Sequence, residues 1–424
     1  MWVPRASLRW FAVGVVLVAI GCGEDDAQPE PRSVDPKSPA IHAAVQSNEA
    51  VALKLHSVLR QQPGNLFYSP ISIEAVLGML YAGADGETAT QIGAVLDVGD
   101  DPRALHEGLG ALLGDLAGDY SGRGYTLSVA NRLWARPGLD SSPDFLDTTR
   151  ELYAAPMQAA DFGDSERVRA EINRWVDDQT HGKIPELLMK GQITRDTVMT
   201  VVNAIYFKAE WAKAFDPDLT RSDTFVRADK TKVTVDMMST NKVALRAAST
   251  ENARWIELPY RGGDVSFLAC LPTSFNWGAP PEDAPSLDAI EAALTRDALS
   301  DVVSQLGESR EQIVQMPRFS LRSRLDLIPT FRALGVVDLF DDSRANLSKI
   351  SASQQLYVNP FAHEATVQVD EEGTVAAAAT AAGVQRTSAA LPIRFDHPFL
   401  FFIRDNLTGA ILFTGRVEDP SAKN

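Results

Sequence analysis

Cysteine and histidine are scarce in this sequence of 424 residues, which has two of the former and six of the latter. With only Cys22 and Cys270, a framework of disulfides is excluded, and the core alone must hold the fold. Cys270 lies in the apolar run Phe267–Leu271 and is predicted to be a small buried residue. The sequence also lacks a His-Glu-x-x-His helix, a closely spaced cysteine pair, and the Gly-x-Ser-x-Gly and Gly-x-Gly-x-x-Gly motifs. We therefore expect no metal site, no cofactor and no catalytic constellation.

Positive charge is also in short supply. The 40 Lys and Arg residues face 56 Asp and Glu residues, which gives a formal net charge of −16 and an isoelectric point near 4.9. A chain this acidic is not expected to bind nucleic acid. Hydrophobic residues make up 45% of the sequence, which is enough for a sizeable core.

The N-terminus has the pattern of an export signal in residues 1–22. Arg5 and Arg9 precede an apolar run from Trp10 to Ile20, far shorter than the ~20 residues of a membrane-spanning helix. The run ends in Ala19-Ile-Gly-Cys22, which resembles a bacterial lipobox, although Ala19 departs from the usual Leu or Val. We expect a protein lipidated at Cys22 in the bacterial cell envelope. The alternative is an ordinary cleaved signal peptide and a periplasmic or extracellular protein.

Residues 23–41 are acidic and rich in proline, which predicts a flexible tether. Helical periodicity of apolar residues begins near Ile41, and neither an internal repeat nor a second linker follows. We therefore expect a single domain over residues 42–424. The membrane would be contacted only through the N-terminal lipid.

One stretch near the C-terminus has no large apolar anchor. It lies between the strand-like Thr366–Val369 and the apolar run Phe395–Ile403, and it extends from Thr374 to Thr387. Because such a segment cannot hold itself on a core, we predict that it forms an exposed loop. The alternative is an alanine-rich surface helix capped by Thr374, since alanine is the best helix former.

Two motifs bracket this loop and carry a family resemblance. Glu371-Glu-Gly-Thr-Val-Ala-Ala-Ala-Ala-Thr380 resembles the hinge of the inhibitory serpins, and Phe395-Asp-His-Pro-Phe-Leu-Phe401 resembles the strand after their reactive loop. Further matches run from about Asn65 to Pro420. The chain is thus similar to the serpins, a family of serine protease inhibitors, over most of its length.

The resemblance implies an α+β fold with a large central sheet A, smaller sheets B and C, and mixed and antiparallel strands. About eight or nine helices and an exposed reactive-centre loop over about residues 371–394 complete it. It also implies a monomeric inhibitor that is not an enzyme. A serine protease cleaves the loop as a suicide substrate, and insertion of the cleaved loop into sheet A traps the acyl-enzyme.

Insertion places a requirement on the hinge that the sequence can be tested against. In a strand, alternate residues face the core. Counting from the hinge, five small and uncharged residues share one face: Thr374, Ala376, Ala378, Thr380 and Ala382. They can therefore enter a packed interior without overpacking it. This pattern favours an inhibitor. A non-inhibitory serpin that acts as a binding or chaperone-like protein is the alternative, and a tethered peptidase of another fold is a third.

The resemblance also assigns the residues that the family calls the shutter. Ser69, Ser72, Asn203 and His363 match that group. Asn203 is the polar exception in the otherwise apolar strand Val198–Lys208, and a buried amide needs hydrogen-bond partners. Ser69 is also predicted to cap the helix that begins at the next residue, a proline. An acid–base role for His363 is the alternative, but a lone histidine more often serves as a hydrogen-bonding core residue.

A second group, called the breach, is expected at the top of sheet A. Arg318 matches the basic partner of the hinge glutamate, here Glu371, and Trp211 matches an aromatic residue near that pair. We expect a salt bridge between Arg318 and Glu371. Glu372 and Gly373 complete the hinge, and Gly373 is expected to let the chain pivot.

The bond cut by the protease can be located by counting from both ends of the loop. Glu371 plus 16 gives Thr387, and Phe395 minus 7 gives Ser388, so both counts place the reactive bond at Thr387-Ser388. Threonine suits an elastase-like or subtilisin-like pocket. The alternative bond, Arg386-Thr387, suits a trypsin-like protease, and a cysteine protease is less expected.

A polyanion cofactor of the heparin type is not expected. In serpins activated by heparin, a basic patch marks the helix that matches residues 102–119 here. The charges of this segment are mainly Glu107, Asp115 and Asp119.

Overall fold

Nine α-helices and eighteen strands occur in the computed structural model, which describes residues 32–120, 123–273, 283–374 and 391–422. The helices are α1 (Pro39–Leu59), α2 (Pro70–Gly83), α3 (Gly86–Leu96), α4 (Pro102–Leu116), α5 (Pro143–Glu151), α6 (Ser165–Gln179), α7 (Leu287–Ala292), α8 (Arg296–Ser304) and α9 (Ile328–Ala333). The strands are β1 (Leu66–Tyr68), β2 (Gly118–Tyr120), β3 (Tyr125–Ala135), β4 (Gln158–Ala159), β5 (Met199–Glu210), β6 (Arg221–Val226), β7 (Lys232–Ser239), β8 (Val243–Ser249), β9 (Ala253–Pro259), β10 (Val265–Pro272), β11 (Arg310–Gln312), β12 (Val314–Pro317), β13 (Phe319–Asp326), β14 (Phe361–Val369), β15 (Gly373–Thr374), β16 (Ile393–Arg394), β17 (Phe399–Asp405) and β18 (Ile411–Val417).

Several helices begin in the same way. A proline occupies the first position of α1, α2 and α4, and the side chain of Ser38, Ser69 or Asp101 just before it accepts a backbone N–H of the first turn. The cap predicted for Ser69 is therefore confirmed. Helix α1 begins at Pro39, so the domain boundary placed after residue 41 falls inside its first turn.

The described residues before α1 are bound to the body of the protein. The guanidinium of Arg32 pairs with the carboxylates of Asp115 and Asp405, both of which are buried. The backbone N–H of Ser33 also donates to Asp115, at 2.9 Å. The predicted tether is thus attached from Arg32 onward. Asp115, one of the acidic residues of α4, is a buried partner of this arginine because the N-terminal segment covers it.

Sheet A contains the strands that carry the described hinge residues and two residues of the shutter, Asn203 and His363. Its order is β13-β14-β15-β5-β3-β2, and β4 pairs with β3. Strands β14 and β5 are parallel, from Phe361 opposite Val201 to Thr366 opposite Tyr206. Beyond that ladder, β15 lies between them and is antiparallel to both. The remaining strands form sheet B, in the order β1-β18-β17-β10-β9-β8-β11, and sheet C, in the order β16-β12-β7-β6.

Strand β5 is buried on both faces, as its near-continuous apolar sequence predicts. Its back-facing residues, such as Val201 and Phe207, belong to the main core with α1, α2 and sheet B. Its front-facing residues, Val202 and Ala204, pack in a smaller cluster under α6 and the segment that follows it. A strand that joined sheet A beside β5 would therefore be covered on both sides over much of its length.

Cys270 is fully buried in β10, which confirms the sequence prediction, and burial raises the pKa of its thiol. Within the described ranges, no helix has the length and apolar character needed to cross a bilayer. The same part of the chain holds no cluster of His, Cys, Asp and Glu side chains suited to a metal ion.

Glu74 is a carboxylic acid in the middle of α2 with no exposed surface. Burial raises its pKa from 4.5 to about 8, against the opposing effect of Ser47 and Asn48 on α1. The side chain is therefore neutral in the folded protein at pH 7, while it is ionised in the unfolded chain.

This difference predicts a loss of stability as the pH rises. Above pH 4.5 the unfolded chain releases the Glu74 proton and the folded protein keeps it until about pH 8, so the loss falls between these values and reaches about 5 kcal/mol. Glu74→Gln should remove it. Thermal unfolding midpoints at pH 5 and pH 8 measure the effect, with Glu87→Gln, at an exposed site on α3, as the control. An equal drop in midpoint for Glu74→Gln and the parent would contradict the prediction.

Candidate functional site

The hinge is already part of sheet A. After β14 the chain turns through residues 370–372, where the side chain of Asp370 accepts the backbone N–H groups of Glu372 and Gly373 at 3.2 and 3.3 Å. Strand β15 then places Thr374 opposite Val369 on one side and Ala209 on the other. The loop predicted to begin at residue 371 is thus paired with both neighbouring strands as far as Thr374, the last residue that the structure describes before residue 391.

At its other end the loop is bounded by sheet C, where β16 (Ile393–Arg394) pairs in parallel with β12. The predicted boundary at residue 394 thus lies within this strand. The remaining predicted positions of the loop and the lipid site lie outside the described residues: Ala376, Ala378, Thr380, Arg386, Thr387, Ser388 and Cys22.

Gly373 is needed for space. A Cβ atom on this residue would lie 2.1 Å from the carbonyl oxygen of Ala209 and 2.7 Å from the Cα of Glu210. Its φ lies outside the left-handed region that favours glycine. The sequence predicted a pivot here, whereas the structure requires glycine because the backbone of β5 passes so close.

Thr374 points into the core and has no exposed surface. Its hydroxyl lies 2.8 Å from the hydroxyl of Tyr260, whose ring stacks on Trp211 with a centroid distance of 4.6 Å. The indole nitrogen of Trp211 donates to the carbonyl of Asp370 at 3.0 Å, and its backbone N–H donates to that of Glu372 at 2.8 Å. Trp211 and Tyr260 therefore hold the hinge turn from the side that faces the core.

Glu371 anchors the outer side of the same turn. Arg318 donates to both of its carboxylate oxygens, through Nη2 at 2.6 Å and Nε at 3.2 Å, and the Thr220 hydroxyl donates at 2.6 Å. Burial acts to raise the pKa of Glu371, but these hydrogen bonds outweigh it and hold the pKa below its usual value. The structure thus brings Arg318 and Glu371 together near Trp211. The carboxylate stays ionised, and the bidentate geometry fixes its position.

The shutter residues meet behind the parallel ladder of β14 and β5. The ring of His363 accepts from the backbone N–H of Ser69 through Nε2 at 3.2 Å, and its Nδ1 contacts the side-chain oxygen of Asn203. The Asn203 amide donates to the carbonyl and hydroxyl oxygens of Ser72, both at 2.8 Å. The four positions expected from the sequence therefore form one connected hydrogen-bond network.

His363 is neutral in this network. Burial lowers its pKa to about 3, so the ring carries one proton at neutral pH. Because Nε2 accepts from Ser69, that proton lies on Nδ1 and is donated to Asn203. The residue serves as a hydrogen-bond bridge between α2 and the two strands, not as a proton shuttle open to solvent.

Three contributors to these groups were missed from the sequence: Tyr260, Thr220 and Asn131. Asn131 accepts from the Asn203 amide at 2.6 Å and lies directly opposite it on β3. Two asparagines on neighbouring apolar strands are a signal that could have found it. Thr220 and Tyr260 lie more than one hundred residues from their hinge partners, and no local pattern marks them.

Comparison with known proteins points to the family that the hinge motif resembles. The family model described as "Serpin (serine protease inhibitor)" matches residues 46–420. The leukocyte elastase inhibitor of Bos taurus is 37% identical over 89% of this chain and 99% of its own. Serpin B8 of Homo sapiens is 35% identical over 88% of this chain and 99% of its own.

A solved structure shows the same architecture. The crystal structure of uncleaved ovalbumin aligns with a TM-score of 0.79 and 30% identity, and it covers 89% of this chain and 100% of its own. Sheets A, B and C and the nine helices of the described residues agree with the fold expected from the hinge motif. The chain therefore belongs to the serpin family of serine protease inhibitors.

Proposed function

We propose that this serpin acts as a suicide substrate whose cleaved reactive loop inserts between β14 and β5. The register of β15 is the observation that carries the proposal. Thr374 lies opposite Val369 and Ala209. Six residues further on, Thr380 would lie opposite His363 and Asn203. Those two residues already face each other across the parallel ladder. A loop continued from β15 therefore matches both strands without a shift in register.

The same register explains the small hinge side chains. Residues opposite one another in an antiparallel pair point to the same face. Ala376 and Ala378 would therefore point, with Val367 and Phe207, into the main core, which has little room for added volume. Thr380 would arrive between His363 and Asn203, where its hydroxyl can donate to one and accept from the other.

Insertion is favourable in terms of backbone pairing. It replaces one parallel ladder by two antiparallel ladders, and antiparallel pairing is slightly more stable per residue. It also gives hydrogen-bond partners in the sheet to the backbone groups of the inserted loop. The uncleaved loop is tethered at residue 374 and at β16, so cleavage is needed to free one end.

The trap depends on a covalent intermediate. The catalytic serine oxygen of the protease attacks the carbonyl carbon of Thr387, the peptide bond to Ser388 breaks, and the new amine of Ser388 departs with the proton from the serine. The resulting ester persists until water attacks it. If the loop inserts first, the attached protease is carried along sheet A and its active site is distorted.

The chemistry of the loop and the names of the relatives both favour an elastase-like target. The residue before the reactive bond is Thr387, which is small, and several relatives are named leukocyte elastase inhibitors. The broad pocket of a subtilisin-like protease would also accept Thr387. Arg386 makes a trypsin-like protease the alternative target.

Export and lipidation at Cys22 are part of the proposal. Arg5, Arg9 and the apolar run to Ile20 support export, and Ala19-Ile-Gly-Cys22 supports the lipid. The protein would then be displayed at a membrane of the cell envelope, with its body outside the bilayer.

A gel assay tests the inhibitory mechanism. The full chain, incubated with pancreatic elastase or subtilisin, should give a band of the summed mass that survives boiling in detergent, because the ester is covalent. Protease whose catalytic serine has been blocked is the control and should give no such band. Complete cleavage of the loop by elastase, subtilisin and trypsin with no adduct would overturn inhibition and favour the binding-protein alternative.

Mass spectrometry of the released C-terminal peptide locates the reactive bond. We expect a peptide that begins at Ser388, because counts from both ends of the loop agree on that residue. A peptide that begins at Thr387 would assign the specificity to Arg386 instead. The adduct-forming protease from the gel assay is the one to use.

The hinge should separate inhibitor from substrate. Thr374→Arg would bury an unpaired charge beside Tyr260, at a cost of several kcal/mol, so the hinge should be expelled from the sheet and insertion delayed. Deacylation by water would continue, so cleaved product should replace most of the adduct. The matched control is Val375→Arg, which would face the exposed side with Gln368 and should trap protease as the parent does. Equal adduct yields for the two variants would contradict insertion at this site.

A further inference from the structure

Glu364 is a fully buried carboxylate on the front face of sheet A. One oxygen accepts from Nε of Arg322 at 2.6 Å, and the other accepts from Nε of Arg324 at 2.8 Å. Both arginines belong to β13, the neighbour of β14. A buried charge is costly unless it is paired and hydrogen-bonded, so this pairing explains how β14 can carry a glutamate here.

The two arginines differ in one respect. Arg324 also donates to the carbonyl oxygen of Glu186 and to the sulfur of Met189, in the segment 184–193 that we call the cover. Arg322 makes no hydrogen bond to the cover in the part of the chain that the structure describes. Only one arginine of the pair therefore links β13 to the segment above the sheet.

The cover belongs to the other half of sheet A. The side-chain amide of Asn173 on α6 donates to the carbonyl of Leu188 at 2.9 Å and accepts its N–H at 2.8 Å. Apolar residues of the cover share a buried cluster with Val202 and Ala204 of β5 and with one residue of β14, Ala362, and the chain then continues into β5 at Met199. The cover is thus fastened to α6 and β5, while Arg324 fastens it to β13 and β14.

The seam between these halves is where the loop would insert. From the register of β15, Ala379 would lie between Glu364 and Ala204, directly under this link. An added strand separates its neighbours by about 4.8 Å. If the cover stays on β5, Arg324 is carried beyond hydrogen-bond reach of Glu186 and Met189. If the cover stays with Arg324, it leaves its apolar contacts on β5.

We propose that Arg324 is a positioning residue that straps the cover across the seam and sets the rate at which the loop inserts past Glu364. The proposal rests on the insertion mechanism and adds a restraint to it. Removing the strap raises the free energy of the uninserted form and leaves the inserted form unchanged. Insertion should then accelerate.

The test compares Arg324→Ala with its matched control Arg322→Ala in the full chain. Each variant removes one of the two bonds to Glu364, and only the first removes the strap. A synthetic peptide with the sequence of residues 374–387 is added, and its uptake into the sheet is followed over time by native gel. Uptake should be about tenfold faster in Arg324→Ala than in the parent, the effect of one lost charge-assisted hydrogen bond, and nearly unchanged in Arg322→Ala.

Equal uptake rates in the two variants would overturn the strap and leave the insertion mechanism intact. If the parent neither takes up the peptide nor forms an adduct with elastase or subtilisin, the insertion mechanism fails and the strap fails with it. Arg324→Lys serves if Arg324→Ala does not fold, because it keeps a positive charge beside Glu364 but lacks the fork that also reaches the cover. It too should take up the peptide faster than Arg322→Lys, and equal rates there would refute the strap.

Discussion

The parallel ladder between β14 and β5 is the pairing on which the rest of the structure depends. It joins Phe361–Thr366 to Val201–Tyr206 in the middle of sheet A, and β15 lies between the same strands just beyond it. Parallel pairing is slightly weaker per residue than antiparallel pairing. The serpin therefore keeps one weaker parallel ladder where two stronger antiparallel ladders could replace it. The free-energy difference between the two arrangements is available to distort a bound protease.

Polar groups surround this ladder on three sides. The bridge from His363 to Asn203 crosses it from behind, Glu371 and Trp211 close it from above, and Arg324 spans it in front. Such contacts hold a metastable form by the height of a barrier and not by the depth of a minimum. Of these bonds, the one between His363 and Asn203 can be replaced by Thr380 of an arriving strand, so that step would leave neither buried group unpaired.

Local pattern and family resemblance predicted much of this arrangement. The burial of β5, the cap at Ser69 and the pairing of Arg318 with Glu371 were expected because each depends on nearby sequence or on a motif. The docking of Thr374 against Tyr260 was not, since the two residues are 114 positions apart and neither is unusual in its own segment. The attachment of Arg32, in the predicted tether, to Asp115 was not expected either, for the same reason. Their charges gave no sign that each had found a distant partner.

The attachment of Arg32 to Asp115 and Asp405 has a geometric consequence for a membrane-held molecule. Nine residues, 23–31, lie between Cys22 and Arg32, and the ten steps from one to the other span at most about 35 Å. Asp115 lies just before β2, which pairs with the start of β3 beside Ala209 and the hinge. Arg32 and Thr374, the described residues nearest to the lipid site and to the reactive bond on these two segments, thus lie near the same end of sheet A. With a lipid on Cys22, the end of sheet A that carries the hinge would stay within about the length of residues 23–31 from the bilayer. The inhibitor would then not meet proteases that stay farther away.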